Sequence, residues 1–165
     1  MRTIKLIAPA LLLLFLCPFI SSAQMKNKGP KPGQKIAAHR VLVKTAFVIH
    51  HAYKKVKENK VYTGNLARAM RHQKYARILY RQGKYVRAMH QSRRARYFAL
   101  LAIKANKGEE TDDMKFSKED EASMSKNAPS DADLDKEMEQ AMKNEPTKDE
   151  DVMGAEPDVD ISDGE

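Results

Sequence analysis

Cysteine is almost missing from this chain. Cys17 is the only one in 165 residues, and it falls in a segment expected to be removed. Disulfides, thiol chemistry and thiolate metal sites are thereby excluded from the remainder, whose stability must come from its core or from partners. Acidic residues are scarce over a long stretch: from 24 to 108 the only carboxylate side chain is Glu58. Paired-carboxylate catalysis has no place there, and the few hydroxyls have no organised base beside them, so the chain is expected not to be an enzyme and to need no cofactor. A long hydrophobic run is lacking as well. The fifteen residues from Leu6 to Ile20 are broken by Pro9 and Pro18 and fall short of the roughly 20 needed to cross a bilayer, which argues against a membrane anchor.

That short run is instead flanked as an export signal would be. Arg2 and Lys5 precede it, and Ser21 and Ala23 give signal peptidase small side chains before Gln24. A cleavable signal peptide over 1–23 is expected, and with it an exported mature protein, in the periplasm or cell envelope or secreted. Lipidation at Cys17 is disfavoured because Leu16 is large. Residues 24–35 carry Gly29, Pro30, Pro32 and Gly33 among lysines and read as a flexible linker.

Charge divides the mature chain into two. Residues 24–108 hold 22 Lys and Arg against Glu58, a net of +21, whereas residues 109–165 hold 6 Lys against 21 acids, a net of −15. A cationic body with an anionic tail is the main functional signal. Apolar spacings of three, four and seven predict helices over about 36–59, 66–82 and 84–107. In the first, Ala38, Leu42, Ile49, Tyr53 and Val56 form the stripe, widened by Val43, Ala46 and Phe47. Thr63, Gly64 and Asn65 supply a turn and N-cap. The strings GNLARAMRHQKYAR (64–77) and GKYVRAMHQSRRAR (83–96) repeat at a distance of nineteen. Each starts a helix after a glycine and gives it the same small packing face and cationic flank. The fold class is therefore all-α: a basic three-helix module over 36–108 in which the last two helices form a tight antiparallel hairpin. Ala69, Ala76, Gly83, Ala88 and Ala95 are the expected helix-packing positions.

The pattern Ala76, Leu79, Gly83, Tyr85, Ala88, Ala95 resembles a tetratricopeptide helical hairpin, across about residues 72–105. That resemblance implies a groove for peptides or protein segments. His72 and Ser92 stand where the family carries large side chains, and no proline closes the unit.

From Glu109 the composition becomes Asp, Glu, Ser, Lys and Pro, and the tail is expected to be mostly disordered. One exception is a short helix over 131–144, capped by Ser130 or Asp131, with Leu134, Met138, Ala141 and Met142 on one face and Glu139 paired with Lys143; at this length it is expected to form only when docked.

Nine cations, Arg68, Arg71, Lys74, Arg77, Arg81, Arg87, Arg93, Arg94 and Arg96, are interleaved with Tyr75, Tyr80, Tyr85 and Tyr97. Arginine excess suits bidentate capture of phosphate, sulfate or carboxylate, while most of these tyrosines are expected in the core. A solvated face normally mixes both signs, so counter-charge must come from the chain's own acidic tail or from an external polyanion. The expected partner is an acidic protein, an anionic lipid headgroup or a glycan of the envelope. Nucleic acid is the disfavoured class, and self-association is open because seventy-odd residues build a small core. The alternatives are a tetratricopeptide-like adaptor with a salt-insensitive groove and, third, a metal carrier using His39 and His50; no metal site is assigned. The terminal DVDISDGE lacks the glycine and glutamate that a calcium loop requires at its sixth and twelfth positions.

Overall fold

The computed structural model describes residues 33–118, 121–122 and 128–157. The expected signal peptide, most of the linker, and residues 158–165 lie outside the described residues. Within them the chain is all-helical, with no strands. In chain order the elements are α1 (Gln34–Asn59), α2 (Asn65–Arg81), α3 (Tyr85–Ala105), a 3₁₀ turn (Asp112–Met114), α4 (Asp131–Ala141) and α5 (Asp149–Val152).

Helix α1 begins at Gln34 and not at Ile36, because Gly33 takes φ 91° and its carbonyl accepts from Ala37 N at 3.0 Å. Ala38, Leu42, Ala46, Ile49, Tyr53 and Val56, expected to face inward, are buried, together with Val41 and Val48, whereas Val43 is half-buried. Phe47 departs from that expectation: it is 59% exposed, since the neighbouring helices cover only one side of α1 and it falls just past their edge. The helix stops at Lys60, which turns left-handed (φ 57°) and donates its backbone N–H to Val56 O. Asn106 then pins the connection to α2. Fully buried, it accepts from Val61 N and donates to Val61 O, both at 3.0 Å.

Helices α2 and α3 are joined by a Schellman motif. Lys84 N donates to Leu79 O and Gly83 N to Tyr80 O, each at 2.9 Å, with Gly83 at φ 73°. This 6→1 and 5→2 pair needs a left-handed residue at the helix C′ position, which is the physical reason for glycine there. The reversal sends α3 straight back along α2. Ala69, Ala76, Ala88 and Ala95 are all fully buried, so the small stripe serves helix-to-helix approach.

Two apolar clusters fill the three-helix body. One joins the early part of α1 (Ala38, Leu42), the end of α2 (Leu79, Tyr80) and the start of α3 (Ala88, Met89). The other joins the later part of α1 (Ile49, Val56), the start of α2 (Leu66, Ala69) and the end of α3 (Phe98, Ile103). Their membership runs α1 antiparallel to α2 and alongside α3. Between them lies a buried polar layer. Gln73 Nε2 donates to Leu42 O at 2.9 Å, Ser92 Oγ to Gln73 Oε1 at 3.0 Å, and Arg96 Nη2 to Thr45 Oγ1 at 3.0 Å. Buried polar groups tied to one another in this way fix the register of the helices.

The short helix expected in the tail is present as α4, docked on the body. Ser130 caps α4, its hydroxyl accepting from Asp133 N at 3.1 Å. Leu134 and Met138 are fully buried, and α4 packs on both α2 and α3. Helix α5 packs on α2. The few apolar residues of this acidic stretch fall on one face, and that face meets the hairpin, which supplies the burial an isolated helix lacks. Glu139, expected to pair with Lys143, lies 4.0 Å from Arg68; α4 ends at Ala141, so Lys143 is beyond its last turn.

Candidate anion-binding surface

Among the described residues, five of the nine cations are matched by carboxylates of the tail. Asp135 is the centre of this set. Arg94 grips it with two parallel bonds, Nε to Oδ1 at 2.9 Å and Nη2 to Oδ2 at 2.8 Å, and Arg68 adds a third at 3.3 Å. Both guanidinium groups lie over the Phe98 ring at 4.5 Å. Arg93 and Arg94 reach Asp131, Arg87 forms a fork with Glu137, and Lys74 meets Glu145 at 2.7 Å. Burial acts to raise the Asp135 carboxyl, but the bond and charge of Arg94, with help from Arg68, outweigh it and hold the group below the usual carboxylate range. Reciprocally, the bond to Asp135 lifts Arg94 above its ordinary value.

Arg96 does not belong to the surface set. It is fully buried, donating to Thr45 Oγ1 and Val41 O beneath the Phe116 ring, whose centroid is 4.1 Å away. Its position one residue past Ala95 turns it into the α1 interface. Of the interleaved tyrosines, Tyr80 is buried whereas Tyr97 is 48% exposed and carries Arg94 at 5.0 Å from its ring centroid.

Under the Asp135 cluster sits a buried histidine. His72 Nδ1 is 2.7 Å from Gln91 Oε1, and Gln91 Nε2 donates to Leu134 O at 3.1 Å. Because that carbonyl fixes the Gln91 amide, His72 must carry its proton on Nδ1. Its Nε2 stands 3.2 Å from Asp135 Oδ1 without hydrogen-bond alignment. Burial, against Gln91 and Asp135, pulls the His72 pKa down; burial together with Arg93 and Arg87 does the same for His90. Both folded values lie below the ordinary 6.5, so the unfolded chain takes up protons first as the pH falls. Stability from these groups is complete above about 6.5 and declines below it, followed in the carboxylate range by the loss of Asp135. A melting-temperature series from about pH 8 to about pH 4 should decline first near pH 6.5, and His72→Gln should flatten that first phase; a flat curve down to about pH 5 would rule it out.

A feature missed in the sequence is Asp149. Fully buried, it accepts from Thr63 N at 2.8 Å, Gly64 N at 2.7 Å and Ala67 N at 2.9 Å. It is the cap of α2, supplied from more than eighty residues downstream. Of the expected local turn, Gly64 occupies the cap position at φ 78° and has no side chain to offer, and Thr63 Oγ1 accepts only from Asn65, from its backbone N at 3.4 Å and its side-chain Nδ2 at 2.9 Å. The one available signal was negative: no acid stands in the first turn of α2.

A second group of cations, Lys74 among them, lies along another edge of α2. Arg71, Lys74, Arg77 and Arg81 edge a cleft of about 500 Å³ between α1, α2 and the segment 145–157. Its floor is apolar, with Ala46 and Ile49 of α1, Met70 of α2 and Val152 of α5. Two carboxylates, Glu145 and Asp151, line it against four cations.

Comparison of the chain with protein-family models, curated proteins and solved structures gives no match in any of the three. Function must therefore be argued from this geometry. Among the described residues no three His, Cys, Asp or Glu side chains converge to hold a metal ion, His39 and His50 included. No helix among them is long and apolar enough to cross a membrane.

Proposed function

We propose that the chain is an exported, non-catalytic binding protein whose basic helical module engages an anionic partner, an acidic protein, lipid headgroup or glycan, along the cleft edge of α2. One observation carries this reading. The tail neutralises the α2–α3 face through Asp131, Asp135 and Glu137, while among the described residues Arg71, Lys74, Arg77 and Arg81 line one cleft with Glu145 and Asp151. The tail thereby covers the α2–α3 face and leaves the cleft edge of α2 cationic, and its modulating role is one of selecting where anions dock.

Binding of the full mature chain to anionic-lipid vesicles and to a sulfated glycan tests this. Affinity for at least one of them should fall steeply as salt rises from about 0.1 M to about 1 M, where the screening length shortens from about 10 Å to about 3 Å. Arg77→Glu with Arg81→Glu should weaken it at least tenfold. Retention of one protein partner through the salt wash, unaffected by these changes, would point instead to the tetratricopeptide-like groove.

A further inference from the structure

We propose that the cleft between α1, α2 and the 145–157 segment binds a single-chain amphiphile with an anionic head, the head held by Arg71 and the chain lying on the Ala46, Ile49, Met70 and Val152 floor. This rests on the α2 edge being an anion site and adds the class of ligand.

Size favours a small molecule. About 500 Å³ falls within the roughly 300–1,000 Å³ of small-ligand sites, while a stable protein partner needs about 800 Å² of surface on each side. The floor draws its side chains from three separate elements, so it is a built concavity, and a purely ionic ligand would leave that apolar surface wet. The rim sets the sign of the head. Glu145 already pairs with Lys74 at 2.7 Å, and Arg71 and Arg81 share the lining with Asp151, the other carboxylate there among the described residues.

Arg71 shows where the head would sit. Its Nε is buried and has no hydrogen-bond partner among the described residues. Burial lowers its pKa; Glu139 opposes this, and Arg68 adds to it. Its buried Nε is an unused donor on a side chain that is otherwise half-buried, and an oxyanion in the cleft would supply the acceptor.

Calorimetric titration of the full mature chain with dodecyl phosphate, below its critical micelle concentration, tests the assignment. One saturable site is expected, with inorganic phosphate and dodecyltrimethylammonium each at least tenfold weaker. Arg71→Gln should weaken dodecyl phosphate at least tenfold with the helical circular dichroism unchanged. Ala155→Trp, at an exposed position on the lining, should fill the cleft and do the same while leaving inorganic phosphate as it was. Equal binding of the cationic amphiphile, or wild-type affinity in both variants, would overturn the proposal. Inorganic phosphate binding as tightly as dodecyl phosphate would also overturn it, yet leave the anion-binding reading of α2 standing.

Discussion

Replacing Asp149 by alanine should lower the unfolding free energy by about 2–3 kcal/mol, the largest effect of any single exposed or buried acid in this protein. The carboxylate takes three backbone N–H groups, those of Thr63, Gly64 and Ala67, and no solvent reaches it. An ordinary N-cap contributes about 0.5–2 kcal/mol, and leaving a buried donor without a partner costs about 1–3 kcal/mol. For a domain of this size the melting temperature should drop by roughly 10 °C. Asp149→Asn should lie between the two, because Oδ1 serves Ala67 and Oδ2 serves Thr63 and Gly64, and the amide keeps only one oxygen. A melting temperature within a degree or two of wild type for Asp149→Ala would mean that the tail does not cap α2.

Leu134→Ala is the second large effect, at about 3 kcal/mol, within the range of about 2–5 for emptying a buried leucine site. The ion pairs around α4 are more numerous, but magnitude decides against them as the anchor. Lys74 is 56% exposed and Asp131 is 55% exposed, and such pairs contribute about 0–1 kcal/mol each; the Arg94–Asp135 fork, at 14% and 17% exposed, is the exception, and its gain is offset by the desolvation of both groups. Leu134 and Met138 are fully buried, and Leu134 O also receives the Gln91 amide. Limited proteolysis with mass spectrometry should therefore find Leu134→Ala cut within 109–157 much sooner than wild type, while Lys74→Ala should be cut at nearly the wild-type rate. High salt alone should not release the tail. If it does, and Leu134→Ala resists protease as wild type does, charge holds the tail and the apolar anchors are secondary.

The helical body was legible because its signals are local. The spacing of Ala38, Leu42, Ile49, Tyr53 and Val56 identifies a buried stripe without knowledge of what covers it, and Gly83 fixes the hairpin turn through its own backbone. The neutralising role of the tail could be inferred from charge balance, since +21 beside −15 calls for a meeting. What could not be read was which groups meet. Arg94 and Arg96 are two residues apart and chemically identical, yet one binds Asp135 and the other disappears beneath Phe116; only the crossing of α1 over α3 separates them. Asp149 was hidden for the same reason. A carboxylate in the acidic run TKDEDV has nothing local to set it apart from Glu150 or Asp151, and its value arises from an α2 start that carries no acid of its own. The cleft was half legible: Arg71, Lys74, Arg77 and Arg81 share an edge by helical spacing, but its floor is assembled from α1, α2 and α5.

The cap of α2 also sets an order of events in time. Thr63 is made long before Asp149, and contacts so far apart in sequence close late, because a long loop must lose its freedom before they form. A growing chain that has reached only residue 108 carries the whole basic body with neither its counter-charges nor the acceptor for its second helix. The protein passes through a stage at which it is most cationic and least complete, and its second helix is capped only once Asp149 has arrived.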